Sequence, residues 1–308
     1  MSPFPLIAVV GPTGSGKSEL ALSIAAAHGG EVLNSDSIQL YRYFDIGSAK
    51  LAQAGRRGIP HHLIDILDPD QEFSAGEYAR RGRQVLAEIS ARGALPVVVG
   101  GTGFYLRALL EGLFPGPGRD QAVRLRLAAR EKRRPGSLHR LLSRFDPITA
   151  ARIHATDVQK LIRAVEVRLL TERPPSELYA AGRDALQGHR VLKIGVDPPR
   201  QALYHRLDQR CQRMFARGLV PEVQHILASG YPPTSKPFEA LGYRQALQLV
   251  QGDLTPAEAL LEAQRATRRY SKRQWTWFRR DPEVQWFPGF GDDDSMKIAV
   301  LERVAEFL

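Results

Sequence analysis

The stretch Gly11-Pro12-Thr13-Gly14-Ser15-Gly16-Lys17-Ser18 limits what this chain can become more than any other. An apolar run at residues 6–10 precedes it and reads as a buried strand. Residues 18–27 follow and read as a helix that starts at the end of the loop. Glycines at 11, 14 and 16 let the backbone turn tightly, so that successive N–H groups point at one centre beside a helix N-terminus. The pattern G-x-x-x-x-G-K-S is that of a phosphate-binding loop. Lys17 adds a mobile positive charge, and the Ser18 hydroxyl can hold Mg²⁺. A chance glycine-rich turn would not be expected to carry the whole pattern between a strand and a helix. The loop predicts binding of a di- or triphosphate, a nucleotide such as ATP among them, and leaves the choice to the rest of the chain.

The chain has 308 residues, enough for one large or two modest domains. Its 43 Lys and Arg outnumber 33 Asp and Glu, for a net charge of +10. Such a balance serves solubility when dispersed and points to a polyanionic partner when clustered. Cys211 is the single cysteine, which excludes an internal disulfide and a cysteine-based zinc site. The apolar N-terminal run leads into the phosphate loop, unlike a signal peptide, and no apolar run approaches the ~20 residues of a membrane span. A cytoplasmic protein with no membrane partner is expected.

A second short strand is expected at residues 31–36. In open α/β sheets ligands lie beyond the carboxyl ends of strands, which places Asp36 and Gln39 near the phosphate loop. Asp36 reads equally as the cap of a following helix. His61 and His62 sit in another short apolar strand. Neighbours there point opposite ways and no third ligand is evident, so they read as structural. Ser74-Ala-Gly-Glu77 resembles a capping box opening a helix to about residue 91. Residues 95–99 form a further buried strand ending in Gly100-Gly101-Thr102-Gly103, with a hydroxyl at the strand end. Many phosphate-loop ATPases carry an acidic residue at such a place, and its absence weighs against simple ATP hydrolysis.

Phe114-Pro-Gly-Pro-Gly118 breaks the α/β rhythm. From there to the strand at residues 191–196 the pattern is helical and basic. The expected fold is therefore α/β: a phosphate-loop NTPase-like parallel sheet flanked by helices, with an inserted helical domain. Residues 1–113 and 189–308 make the core, and 114–188 the insertion. The charges of the insertion read either as a solvated helix face or as an RNA grip. A helix over residues 201–217 ends at Gly218. A later long helix carries Arg265, Arg268, Arg269, Lys272 and Arg273, several on one face. Beside them, Trp275, Trp277 and Phe278 read more readily as core than as stacking platforms. A last strand at 283–287 and a short amphipathic helix at 298–308 complete the chain.

Taken in order, these motifs resemble one family, the tRNA dimethylallyltransferases. The matching stretches are the phosphate loop, Asn34-Ser-Asp-Ser-Ile-Gln-Leu-Tyr41, Asp45-Ile-Gly-Ser-Ala-Lys50, His61-His-Leu-Ile-Asp65, Val99-Gly-Gly-Thr-Gly-Phe-Tyr105, Gly242-Tyr-Arg-Gln245 and residues 268–277. Ser48 stands where the family usually has Thr, which keeps the hydroxyl. Without the zinc-finger tail of eukaryotic members, the chain resembles the bacterial type. The resemblance implies transfer of a dimethylallyl group from dimethylallyl diphosphate to N6 of adenosine 37, beside the anticodon of tRNA, with Mg²⁺ as cofactor. It implies that residues Gly11 to Ser18 hold the diphosphate and that Asp36 is the base. Thr102 would stand at the reacting centre, and Lys17 and Arg210 would grip the pyrophosphate. Ser37, Ile38 and Gln39 would meet the target base. Arg124, Gln159, Lys160, Leu161, Ile162 and Arg163 would meet the anticodon stem-loop. A monomer is expected. A small-molecule or nucleoside kinase uses the same loop and is the alternative.

Overall fold

The computed structural model describes residues 3–308. Its chain divides into two compact units. One runs to Leu109 and resumes at Gln187, and the other is Leu110–Leu186.

The first unit begins with β1 (Phe4–Val10), α1 (Lys17–Ala27), β2 (Gly30–Asn34), the two-residue β3 (His61–His62), α2 (Ala75–Ala91), β4 (Leu95–Val99) and α3 (Gly103–Leu110). The second holds α4 (Gln121–Arg133), α5 (Ser137–Phe145), α6 (Pro147–Arg152), α7 (Val158–Thr171) and α8 (Pro175–Ala180). The first resumes with β5 (His189–Asp197), α9 (Arg200–Ala216), α10 (Leu219–Ala228), α11 (Tyr243–Val250), α12 (Pro256–Phe278), β6 (Val284–Pro288) and α13 (Asp294–Phe307).

The strands form one six-stranded sheet in the order β3-β2-β4-β1-β5-β6, and each pairing is parallel. Leu6–Val10, all of β2 and all of β4 are buried, the continuous apolar reading that a sheet covered on both faces requires. On one face, Leu20 and Ile24 of α1 meet Met296, Val300 and Val304 of α13 over Ile7, Val97 and Ile194. Each such side chain contributes about 1.5–3 kcal/mol by leaving water. The three α13 residues are spaced by four, so one helical face carries the contact. The capping box at Ser74 and Glu77 opens α2 as its sequence predicts.

The chain order of the strands matters for the site. β1 lies between β4 and β5: the chain builds β2, β3 and β4 on one side of it and then crosses to build β5 and β6 on the other, which opens a crevice beyond the strand ends. Of the two strands beside β1, β4 ends in Val99-Gly100-Gly101-Thr102, while β5 ends in Asp197, whose carboxylate is taken by Trp275 and Arg279. The β4 end, where many phosphate-loop ATPases hold a metal-binding acid, therefore carries none. The strand expected at residues 31–36 stops at Asn34, and a turn rather than a helix follows Asp36.

The second unit is wholly helical among its regular elements. Val123, Leu127, Leu138, Leu142, Leu161, Ile162 and Val165 form its core. Glu166 is fully buried inside it and accepts from Arg124 at 3.2 Å, Arg163 at 2.8 Å and the Asp120 amide at 2.8 Å. Arg163 also donates to the Pro117 carbonyl at 2.8 Å, and Arg124 to Gln159 at 3.2 Å. A buried carboxylate with two arginines holds α4 against α7. Removing one side of such a pair costs about 3–5 kcal/mol, because it strands the other charge.

Candidate active site

Gly16 ends the phosphate loop in the left-handed region, at φ 88°, and caps α1 without a side-chain bond. The first-turn amides of α1 are thus left for an anion. A Cβ at Gly16 would run into Asp292 and the backbone of Gly291, so only glycine fits. The Gly291 amide donates to the Ser15 carbonyl at 2.8 Å, and Asp292 takes both guanidinium nitrogens of Arg206, at 2.8 and 2.7 Å. The loop between β6 and α13 therefore braces the phosphate loop from behind.

Lys17 is buried, and its ammonium donates to the Pro12 carbonyl at 2.6 Å. Burial pushes it down to about 7, the Arg210 charge adds to this, and Asp36 opposes it. Burial also lowers the Arg210 guanidinium from its ordinary value. Arg210 reaches the Thr13 hydroxyl at 3.4 Å. Two cations thus share one small space with no full counter-charge. That is a costly arrangement in an empty site and a favourable one around a diphosphate.

Asp36 sits just past β2, in a turn built by the last residue of that strand. Asn34 accepts from the Asp36 amide at 2.9 Å and donates to the Asp36 carbonyl at 3.1 Å and the Leu63 carbonyl at 2.9 Å. Asp36 Oδ1 takes the Ile38 amide at 2.9 Å. Its Oδ2 has no hydrogen-bond partner among the described residues. The helix-cap reading of Asp36 thus fails, because no helix follows: one oxygen ties a turn, and the other faces no hydrogen-bond donor among the described residues.

Thr102 is fastened to the same turn. Its amide donates to the Ser35 carbonyl at 3.1 Å, and its hydroxyl accepts from the Ser37 amide at 3.0 Å. A Cβ at Gly100 would collide with the Ser35 carbonyl, so the two strand ends approach this closely only because Gly100 has none.

A cavity of about 700 Å³ opens in front of these groups. Thr13, Gly14, Gly16, Lys17, Ser18, Asp36, Gln39 and Arg210 line it together. Gln39 donates to the Ser48 carbonyl at 3.2 Å, which joins it to the Asp45–Lys50 stretch on the cavity wall. Lys50 is held there by Asp45 and Asp65, each at 2.6 Å. Gly11, Pro12 and Ser15 form the loop's buried back. Ser37 and Ile38 belong to the Asp36 turn and do not line the cavity, nor does Thr102. His61 lines it and donates to the Ile59 carbonyl at 2.8 Å, while His62 pairs with Glu31 at 2.6 Å. The two rings thus have separate partners, as alternation along a strand predicts.

In the second unit, Arg124, Gln159 and Arg163 cluster about Glu166. Leu161 and Ile162 are buried in its core, and Lys160 is exposed, paired only with Asp157. The side chains there that face water are Lys160 and parts of the other three.

Gln274 was not legible as a site residue. It is buried, accepts from the Thr13 amide at 2.7 Å and donates to the Gly101 carbonyl at 2.8 Å. One side chain thereby ties the phosphate loop to the β4 end. An uncharged polar residue four positions from Tyr270, inside a run of cations, was the available signal, and both residues line the cavity. Of the neighbouring aromatics, Phe278 is core, Trp275 donates to Asp197 at 2.9 Å, and Trp277 is exposed, with the Arg107 guanidinium 5.7 Å from its ring.

A parallel sheet whose central strand runs into a lysine-bearing phosphate loop, facing a carboxylate across one cavity, defines the class of α/β proteins built on a phosphate-binding loop. Sequence comparison narrows the class. The chain belongs to the IPP transferase family, whose model matches residues 39–281, and a second model, isopentenyl transferase, matches residues 5–65. It is 61% identical over 304 residues to a tRNA dimethylallyltransferase of Solibacter usitatus, covering 99% of each chain. It is 53% identical over 292 residues to one of Koribacter versatilis, covering 94% of this chain and 95% of the other. Among solved structures, the tRNA isopentenylpyrophosphate transferase of Bacillus halodurans superposes with a TM-score of 0.73 at 35% identity, over 98% of this chain and 96% of that one. A eukaryotic dimethylallyltransferase acting on tRNA gives 0.82 at 25% identity, over 98% of this chain and 77% of that one.

Proposed function

We propose that the protein transfers a dimethylallyl group from dimethylallyl diphosphate to N6 of adenosine 37 in tRNA and releases pyrophosphate. The observation that carries this reading is the pairing of the phosphate loop with Asp36 across one cavity, next to a β4 end that lacks the acid expected of an ATPase. The kinase alternative has no support from any relative named above.

Breaking the allylic C–O bond moves negative charge onto the pyrophosphate. The α1 amides, Lys17 and Arg210 stand to receive it. N6 must lose a proton as it is alkylated, and the free oxygen of Asp36 is the acceptor. Thr102, locked to Ser37, holds the turn that aims Asp36 and presents a hydroxyl near the same strand ends. To reach the cavity the adenosine leaves its stack, as bases do in enzymes that act on one nucleotide. Mg²⁺ fits this site. The exposed Ser18 hydroxyl and the diphosphate's own oxygens are the hard donors it takes, and no cluster of three or more Asp, Glu, His or Cys among the described residues offers an alternative cage. When bound, it neutralises charge on the pyrophosphate. The helical unit, with Arg124, Gln159, Lys160 and Arg163, grips the anticodon stem-loop, and the protein works as a monomer. No helix among the described residues is long and apolar enough to cross a membrane. Action on tRNA is the ground for a cytoplasmic location.

The test is mass spectrometry of tRNA nucleosides after incubation with protein, Mg²⁺ and dimethylallyl diphosphate. N6-dimethylallyladenosine should form, and Asp36→Asn should lower turnover roughly 10²–10⁴-fold while tRNA binding persists. ATP hydrolysis without prenylated nucleoside would overturn the assignment.

A further inference from the structure

Helix α9 carries Arg206, Arg210, Arg213 and Arg217 at spacings of four, three and four, the last of them at its C-cap. At 3.6 residues per turn these four fall within an arc of about 60° and span about 16 Å along the axis. All four line the cavity in front of the phosphate loop. The inner two are engaged: Arg206 with Asp292 and Arg210 with Thr13. The outer two, Arg213 and Arg217, are exposed and have no acidic partner within salt-bridge distance among the described residues. A solvated helix face is the ordinary reason for such residues. Here, however, the face is a wall of the cavity that contains Lys17, and beyond the Arg206–Asp292 pair three like charges in a row cost energy unless an anion visits them.

The rest of the lining supports the same reading. Ile46, Ala49 and Leu51, together with Met214 of α9 itself, line the same cavity as the outer arginines. A ligand with an anionic head and a short apolar tail matches that mixture. The segment that carries Ile46 is also fixed in place: Glu222 of α10 accepts from the Ile46 amide at 2.9 Å and from the Tyr243 hydroxyl at 2.6 Å, and Tyr243 accepts from the Gly47 amide at 3.0 Å.

We propose that Arg213 and Arg217 form a capture subsite for the prenyl diphosphate, holding its head group transiently before it passes along α9 to Arg210 and the phosphate loop. The inference rests on the donor assigned under Proposed function. The outer arginines act on encounter, so their contribution lies in the association rate and in its dependence on salt.

The test compares the wild type with R213Q, R217Q and the double variant, with Lys236→Gln as an exposed control that does not line the cavity. Stopped-flow association of dimethylallyl diphosphate is followed at low and high ionic strength, beside steady-state transfer to tRNA. The double variant should associate about tenfold more slowly at low salt, and the difference should shrink to less than about twofold near 1 M, where the screening length is short. The loss should fall on kcat/KM for the donor, with kcat at saturating donor retained within about twofold. An unchanged association rate at low salt overturns the proposal. So does a rise confined to the KM for tRNA, which would make these arginines RNA contacts. Failure of the wild type to prenylate tRNA would instead refute the donor assignment itself.

Discussion

Lys17 is where the empty protein and its diphosphate complex should differ most in charge. The ordinary value of 10.5 is pushed down to about 7 in the empty site, chiefly by burial. An anion against the ammonium returns it toward the ordinary value. One pH unit above its free value, at about pH 8, roughly 10% of empty sites carry the proton, so binding should take up about 0.9 proton per site. The cost of that protonation grows by about 1.4 kcal/mol per pH unit, so affinity should fall about tenfold between pH 8 and pH 9 and level off below about pH 7. Dimethylallyl diphosphate cannot imitate this trend, because the terminal phosphate of an ester loses its last proton near about pH 6 and is constant above it. The sign for folding is consistent. A lysine depressed on folding penalises the empty fold most at and below its folded value, and the penalty fades as pH rises from about 7 toward the ordinary value of 10.5. Bound pyrophosphate should abolish that rise. Calorimetric titration of dimethylallyl diphosphate, without tRNA, in two buffers of different ionisation enthalpy gives the proton count directly. Lys17→Met should remove the uptake. An uptake below about 0.3 proton at pH 8, or an equal uptake in Lys17→Met, would refute the reasoning.

Two further outcomes are expected. Gln274→Ala leaves the Thr13 amide without its partner, at about 1–3 kcal/mol, and the Gly101 carbonyl with only the Tyr270 hydroxyl at 3.5 Å, and should lower both thermal stability and donor kcat/KM; a variant with wild-type melting and kinetics would show that the bridge is dispensable. Lys160→Ala removes an exposed cation without disturbing Glu166 and should reduce the salt slope of tRNA binding by about one phosphate contact, measured by filter binding across a salt series. Truncating Arg124 and Arg163 is the less clean experiment, because both also hold the buried Glu166, and a loss of binding there could follow from a loosened unit.

The sequence alone determined the parts whose physics is local. The phosphate loop, its flanking strand and helix, and the Ser74–Glu77 capping box depend on φ preferences, hydrophobic period and short hydrogen bonds, all of which are written within a dozen residues. The helical character of residues 114–188 was legible for the same reason, since no alternating apolar run interrupts it. Tertiary structure decided what depends on distance along the chain. Only the sheet order puts β4 beside β1 and so gives the missing acid its meaning. Gln274 meets Thr13 across 261 positions, and Arg206 meets Asp292 across 86, pairings that no local pattern encodes. Arg124 and Arg163 read alike as free cations until Glu166 is found buried between them. The charge state of Lys17 is likewise invisible in a motif, because desolvation is set by everything folded around the ammonium and not by its neighbours in sequence.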